Sequence, residues 1–215
     1  MKRRKTGEKA LNGVVYFLLI LVLMITIIPI GWVLSTSVKT TTEVFANPPR
    51  WIPDVLTIEN YKTVFLDSAI PRAFLNSVIV GLLTSLIALL LGGSSGYAFA
   101  RFQFRGSKFL SLFMLISQML PLTVLMIPMY YMENEIGLID TKIGLAIAHL
   151  VISLPLVTWM AKGYFKGIPK EIEEAATVDG CSTMQTLTKI VLPLLKPALV
   201  ATGIYAFISS WNEYA

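Results

Sequence analysis

Few side chains in this sequence could do chemistry. A single histidine (His149) argues against a histidine metal centre, and a single cysteine (Cys181) excludes a disulfide framework and any cysteine-based zinc or iron–sulfur site. No G-x-x-x-x-G-K-[ST] phosphate loop occurs, so the chain has no means of hydrolysing ATP by that route. No paired acids and no Ser–His or Cys–His set lie within the long apolar runs. What stands out instead is polarity in apolar surroundings: Gln118, His149, Asn212 and Glu213. Such residues mark a solute path or an interhelical hydrogen bond, the latter contributing about 0.6 kcal/mol on average. His149 apart, the first four runs hold no titratable group of the kind an ion-driven carrier uses.

A second pattern is mechanical rather than chemical. Segment 163–196 is longer than the 2–8 residues that usually join two helices. Pro169 suits a helix start, and Glu171, Glu173 and Glu174 follow near the positive end of its dipole. Ile168, Ile172, Ala175 and Ala176 fall on one face. Gly180 can take the left-handed conformation that ends a helix, and Ser182 with Gln185 reads as a capping box that starts the next. Met184, Leu187, Ile190 and Val191 line the apolar side of that second helix, and Pro193 and Pro197 mark the turn back into apolar sequence. The spacing predicts two short helices with an elbow. Such an elbow either rests on lipid headgroups or plugs a groove on a partner, and the small alanines favour the plug.

The elements that must carry these residues are read from the charges. Of the 215 residues 55% are apolar and 14% charged, against about 25% charged in a soluble domain. Mean hydropathy is +0.69. The net charge of +5 has no nucleic-acid meaning in so apolar a chain. Uncharged runs cover 10–38, 73–100, 109–132, 143–161 and 197–212, and a membrane-spanning helix needs about 20 apolar residues. The sequence predicts an all-α polytopic membrane helix bundle. Lysine and arginine concentrate in 1–9, 101–108 and 162–196, whereas 39–72 and 133–142 balance or reverse them. The alternation predicts a cytoplasmic N-terminus (1–13), a first span (14–36), an external segment (37–72), and a cytoplasmic elbow. Ala215 follows the fifth run without a polar exit, which reads as a chain cut inside or just past its fifth helix. Gly92-x-x-x-Gly96 reads as a close helix contact, and Pro29, Pro121, Pro128 and Pro155 as possible kinks. Five methionines crowd 114–132, which reads as adaptable packing.

Glu174-Ala175-Ala176, three residues, Gly180, nine residues, then Ile190-x-Leu192-Pro193 resembles the EAA loop of ABC importer permeases. Gly96-Tyr97-Ala98-Phe99-Ala100-Arg101 is similar to the same permeases. Glu43, Phe45, Pro48-Pro49, Trp51-Ile52-Pro53, Thr57, Glu59-Asn60-Tyr61 and Trp211-Asn212-Glu213 resemble their carbohydrate-uptake class, typified by the second permease of maltose-type systems. The resemblance implies a type I importer permease fold with five of about six spanning helices present. Residues 73–215 would form its transmembrane domain, with spans at about 73–100, 109–132, 143–161 and 197–215.

The resemblance also implies roles. Glu174, Ala175, Ala176, Asp179, Gly180, Ile190, Leu192 and Pro193 would couple the chain to an ATPase subunit. In that role Glu174 would pair with a basic residue, Gly180 would form the elbow, and the two alanines would allow close approach. ATP and magnesium would sit on that ATPase, with no cofactor on this chain. A second, related permease, an external sugar-binding protein and the lipid bilayer would be the other partners. Gln118, His149, Asn212 and Glu213 would converge on one cavity for a hydroxyl-rich cargo. The competing readings are a permease for another organic solute, such as a polyamine or glycerol phosphate, and a membrane scaffold or sensor whose elbow only recruits a partner.

Overall fold

The structure is a computed structural model that describes residues 2–66 and 69–213. Its regular secondary structure among the described residues is all helical, with the elements α1 (Lys2–Ser37), α2 (Thr41–Val44), α3 (Glu59–Leu66), α4 (Ala69–Arg101), α5 (Ser107–Ser117), α6 (Leu122–Glu135), α7 (Lys142–Gly167), α8 (Lys170–Val178), α9 (Thr183–Thr186), a π-helical turn (Leu187–Val191), α10 (Leu192–Leu194) and α11 (Lys196–Trp211). The chain divides into two compact units, Met1–Arg72 and Ala73–Ala215.

In the first unit, α1 is apolar all round from Leu11 onward, and its side chains are exposed along most of that length. A helix with no polar face requires an apolar solvent. The connection after it is tied by polar side chains. The Lys39 ammonium is buried, donates to the Arg50 carbonyl and sits 4.2 Å over the Trp32 ring. Trp32 and Trp51 meet edge-to-face at 5.0 Å. Glu43 Oε1 accepts from the amides of Asp54 and Val55 at 2.9 and 3.2 Å. Asn60 Nδ2 donates to the carbonyls of Ser37 and Lys39 at 3.0 and 2.8 Å. Three of the outer residues that carried the family resemblance, Glu43, Trp51 and Asn60, therefore hold this unit's own fold.

In the second unit, small residues bring α4 and α7 together. A Cβ on Gly92 would lie 2.6 Å from Val157 Cγ1, and one on Gly96 would lie 2.6 Å from Ala161 Cβ and 2.8 Å from the Lys162 backbone nitrogen. The Gly-x-x-x-Gly pair is thus a packing seam. α11 completes the bundle through Ala206, which is buried with Ala88, Leu150 and Val157.

Among the described residues three helices are long and apolar enough to cross a membrane, Leu11–Ser37, Ala69–Arg101 and Lys142–Gly167; counting each bent pair as one crossing gives five. The apolar run over 109–132 is bent at one of the prolines read as kink positions. α5 and α6 meet at 104° across Gln118–Pro121. Pro121 takes φ −61°, ψ 132° ahead of α6, has no amide hydrogen, and disfavours helical geometry at Leu120. Pro29, Pro128 and Pro155 lie inside continuous helices. A second bend, of 79°, separates Thr183–Leu194 from Lys196–Trp211, with Pro197 in the first turn of α11.

Gly96→Val should lower the thermal unfolding midpoint of the detergent-purified chain, because the added atoms meet backbone; the overpacking costs about 1–3 kcal/mol or more. Gly93→Ala, where a Cβ meets nothing within 4 Å, should leave the midpoint unchanged or raise it slightly.

Candidate functional site

The predicted elbow forms. Pro169 stands immediately before α8, with Glu171 and Glu173 in the first turn. α8 ends at Val178 with Asp179 as its C-cap, and Gly180 adopts φ +87°. The Cys181 amide donates to the Ala176 carbonyl at 2.9 Å and the Gly180 amide to the Thr177 carbonyl at 3.0 Å. These paired bonds satisfy the helix's last carbonyls and require a residue that tolerates positive φ. One residue later the capping box starts α9: Ser182 Oγ accepts from the Gln185 amide at 3.3 Å, and the Ser182 amide donates to Gln185 Oε1 at 2.9 Å. Two helix ends share a handful of residues, so the angle between α8 and α9 is held by backbone bonds on the α8 side and by the reciprocal side-chain–backbone bonds of the capping box on the α9 side.

The elbow is anchored to the ends of the long helices. Val191 and Leu195 are buried with Tyr97, Ala161, Phe165 and Ile168. Tyr97 and Phe165 meet edge-to-face at 5.2 Å. The polar anchor is Glu173. Its Oε1 accepts from Arg101 Nε at 2.5 Å and its Oε2 from the Tyr97 hydroxyl at 3.0 Å. Arg101 Nη2 also donates to the Ile168 carbonyl at 3.0 Å. The two side chains are only 8% and 16% exposed, so the pair sits largely out of water. In the sequence Glu173 reads as a helix-dipole residue and Arg101 as part of a family motif, with nothing to join them. Their shared signal, a lone arginine ending a long apolar helix, is also that of a snorkelling residue.

The predicted coupling residues divide by exposure. Glu174, Ala175, Asp179, Gly180 and Pro193 are exposed, as are Val178 and Met184. Glu174 has no ion-pair partner among the described residues. Ala176 is 3% exposed and faces inward, so its small size also serves packing within the chain. The placement of Met184 on the apolar side is corrected: it turns outward while Val191 turns in. Leu192 is half-buried against the anchoring cluster, and Ile190 is half-buried too.

Of the four polar span residues, His149 and Glu213 share one cleft, whereas Gln118 and Asn212 lie outside its wall. His149 Nδ1 and Ser210 Oγ share a hydrogen bond of 2.6 Å, and Ser210 Oγ lies 3.5 Å from Thr84 Oγ1, which donates to the Ala146 carbonyl at 3.4 Å. This buried ladder crosses α4, α7 and α11. His149 and Glu213 also line a cleft of about 340 Å3 with Tyr130, Glu133 and Asp140. Gln118 instead donates to the Ile152 carbonyl at 3.0 Å, joining the α5–α6 break to α7. Asn212 ends α11, is exposed, and is not part of the cleft wall.

Arg101→Met should strand the Glu173 carboxylate and destabilise the fold by about 3–5 kcal/mol, whereas Arg101→Met with Glu173→Met should recover most of that loss. Unfolding midpoints in detergent and protease cleavage within 169–182 provide the measurements.

Comparison with known proteins places this architecture. Residues 88–215 match the family described as binding-protein-dependent transport system inner membrane component. The trehalose transport system permease protein of Mycobacterium tuberculosis is 35% identical over 90% of this chain and 70% of its own length. A diacetylchitobiose uptake system permease protein of Streptomyces coelicolor is 31% identical over 97% and 69%. The trehalose/maltose transport system permease protein of Thermococcus litoralis is 32% identical over 91% and 70%. Among solved structures, a bacterial ABC transporter involved in import of the acidic polysaccharide alginate superposes with a TM-score of 0.78 at 25% identity, over 97% of this chain and 73% of that one. With a profile covering more than half the chain and relatives above 30% identity along most of it, this multi-pass helical protein belongs to the binding-protein-dependent transport system inner membrane components, the permease subunits of ABC transporters.

Proposed function

We propose that the chain is the permease subunit of an ATP-driven importer for a sugar or oligosaccharide, moved by a partner ATPase through the elbow at 169–193. The observation that carries this reading is the elbow itself. It offers exposed Glu174, Ala175 and Val178 on one side and is locked by Glu173 to Arg101 on the other. A partner seated on the outer side pushes on a body that cannot hinge freely at Gly180. The ion pair passes that push to α4, and the apolar cluster around Phe165 passes it to α7. The sugar assignment draws on relatives named for trehalose, maltose and diacetylchitobiose.

The rest of the machine follows from this reading. ATP and magnesium belong to two ATPase subunits, and Glu174 reaches a basic residue in the groove that receives the elbow. A second permease completes the path, and an external binding protein delivers cargo to the face opposite the elbow. The N-terminus and the elbow then lie on the cytoplasmic side, in agreement with the lysine and arginine bias. The cleft holding His149, Tyr130, Glu133, Asp140 and Glu213 lies in the other half of the unit and offers acceptors and an aromatic face to hydroxyl-rich cargo.

Glu174→Arg and Gly180→Val should each abolish uptake of labelled sugar into vesicles and uncouple it from ATP hydrolysis, while the chain still inserts in the membrane. Valine at φ +87° loses the paired bonds that set the elbow. Normal ATP-dependent uptake by both variants would remove the reading. Uptake by the native chain that ignores ATP would point to a different energy source.

A further inference from the structure

At the elbow end of the second unit, six basic side chains line one cleft of about 780 Å3: Arg101, Arg105, Lys108, Lys162, Lys166 and Lys170. No carboxylate among the described residues lines it. Of the six, only Arg101 has an ion-pair partner among the described residues. Lys162 is held in place, its Nζ donating to Ser111 Oγ at 2.7 Å and lying 5.6 Å over the Phe99 ring. Exposed Phe102, Phe104 and Phe109 share the wall. α5 begins there, behind Gly106, with no side chain capping its first amides.

A second cleft, of about 530 Å3, shares Lys162 and Lys166 with the first and is otherwise walled by Trp159, Met160, Gly163 and Tyr164. The charge profile changes within two turns of α7, from concentrated positive to aromatic and apolar. Tryptophan and tyrosine sit at the level where headgroups meet hydrocarbon. Like charges crowded without a counter-ion repel, so an anion entering the first cleft is favoured by several cations at once. A soluble anion would occupy only the basic half. An amphiphile fills both.

We propose that these adjoining clefts bind an anionic phospholipid, with its phosphate headgroup among Arg105, Lys108 and Lys166 and the start of its acyl chain against Trp159 and Tyr164. The inference concerns the lipid surroundings of the elbow end and does not depend on which solute is carried or on what drives transport. Bound there, the lipid braces the α4–α5 turn against α7, the two helix ends from which the elbow hangs.

The test measures lipid retained by the full detergent-purified chain, by native mass spectrometry after equilibration with mixed phosphatidylglycerol and phosphatidylcholine. The native chain should retain phosphatidylglycerol over phosphatidylcholine. Arg105→Gln with Lys108→Gln and Lys166→Gln should lower that retention by about tenfold or more. The charge-keeping set Arg105→Lys, Lys108→Arg and Lys166→Arg should retain it, which separates lost binding from lost folding. Lys142→Gln with Lys189→Gln and Lys196→Gln removes equal charge from exposed positions of the same unit outside both clefts and should change little. Equal retention of the two lipids by the native chain, or an equal fall in that control, would overturn the proposal. So would displacement of the lipid by excess soluble glycerol phosphate, which would mark a free-phosphate site. Unchanged retention in the neutralised variant, with loss of a co-purifying protein, would overturn it in favour of a protein contact.

Discussion

The seam between α4 and α7 is the constraint on which the second unit rests. Gly92 and Gly96 let two backbones approach until no Cβ fits between them. In a bilayer there is no hydrophobic drive to hold helices together, so close packing and a few buried hydrogen bonds must suffice. Everything with a functional reading hangs from the ends of that seam. Arg101 and Phe165 anchor the elbow at one end, and Thr84 and His149 build the polar ladder towards the other. A displacement applied to the elbow is delivered to a pair of helices that cannot slide past each other without collision.

The charges are placed by the same logic. Arg101 and Glu173 neutralise each other at the point where the elbow meets the long helices, and the Tyr97 hydroxyl and the Ile168 carbonyl take up further hydrogen bonds. A buried pair adds little net stability against an apolar substitute, but losing either member leaves an uncompensated charge. Such a contact specifies geometry more than it strengthens the fold. It makes α8 a projection of α4 instead of a loose loop, while Glu174, one residue on, is left exposed.

Much of this was legible from residue spacing because the signals are local. Gly180, Ser182 and Gln185 each act within a few residues, and the left-handed glycine and the capping box are where their types demand. The apolar runs likewise announced the long helices. What stayed hidden depends on distance or on choosing among equals. Arg101 and Glu173 are far apart in sequence, and neither type reveals its partner. Four prolines interrupt apolar runs, yet only Pro121 coincides with a break, since a proline inside a helix is tolerated when neighbours satisfy the carbonyl it frees. Gln118 and His149 looked alike as polar residues in spans. One bonds across a bend and the other lines a cleft, a difference set by the 104° turn that no single residue encodes.

The π-helical turn Leu187–Val191 has a consequence for how this region tolerates change in chain length. A wide turn holds about one residue more than an ordinary α-helical turn, and each residue of α-helix advances the face by about 100°. The surplus residue lets exposed Met184 and fully buried Val191 belong to one nearly continuous helical stretch. Removing one residue there would give a tidier helix but rotate the exposed elbow by about a quarter turn relative to the buried anchor. The irregularity thus sets the phase between the surface a partner would meet and the core that answers to it, and homologues that differ in length by a single residue here would present a different face.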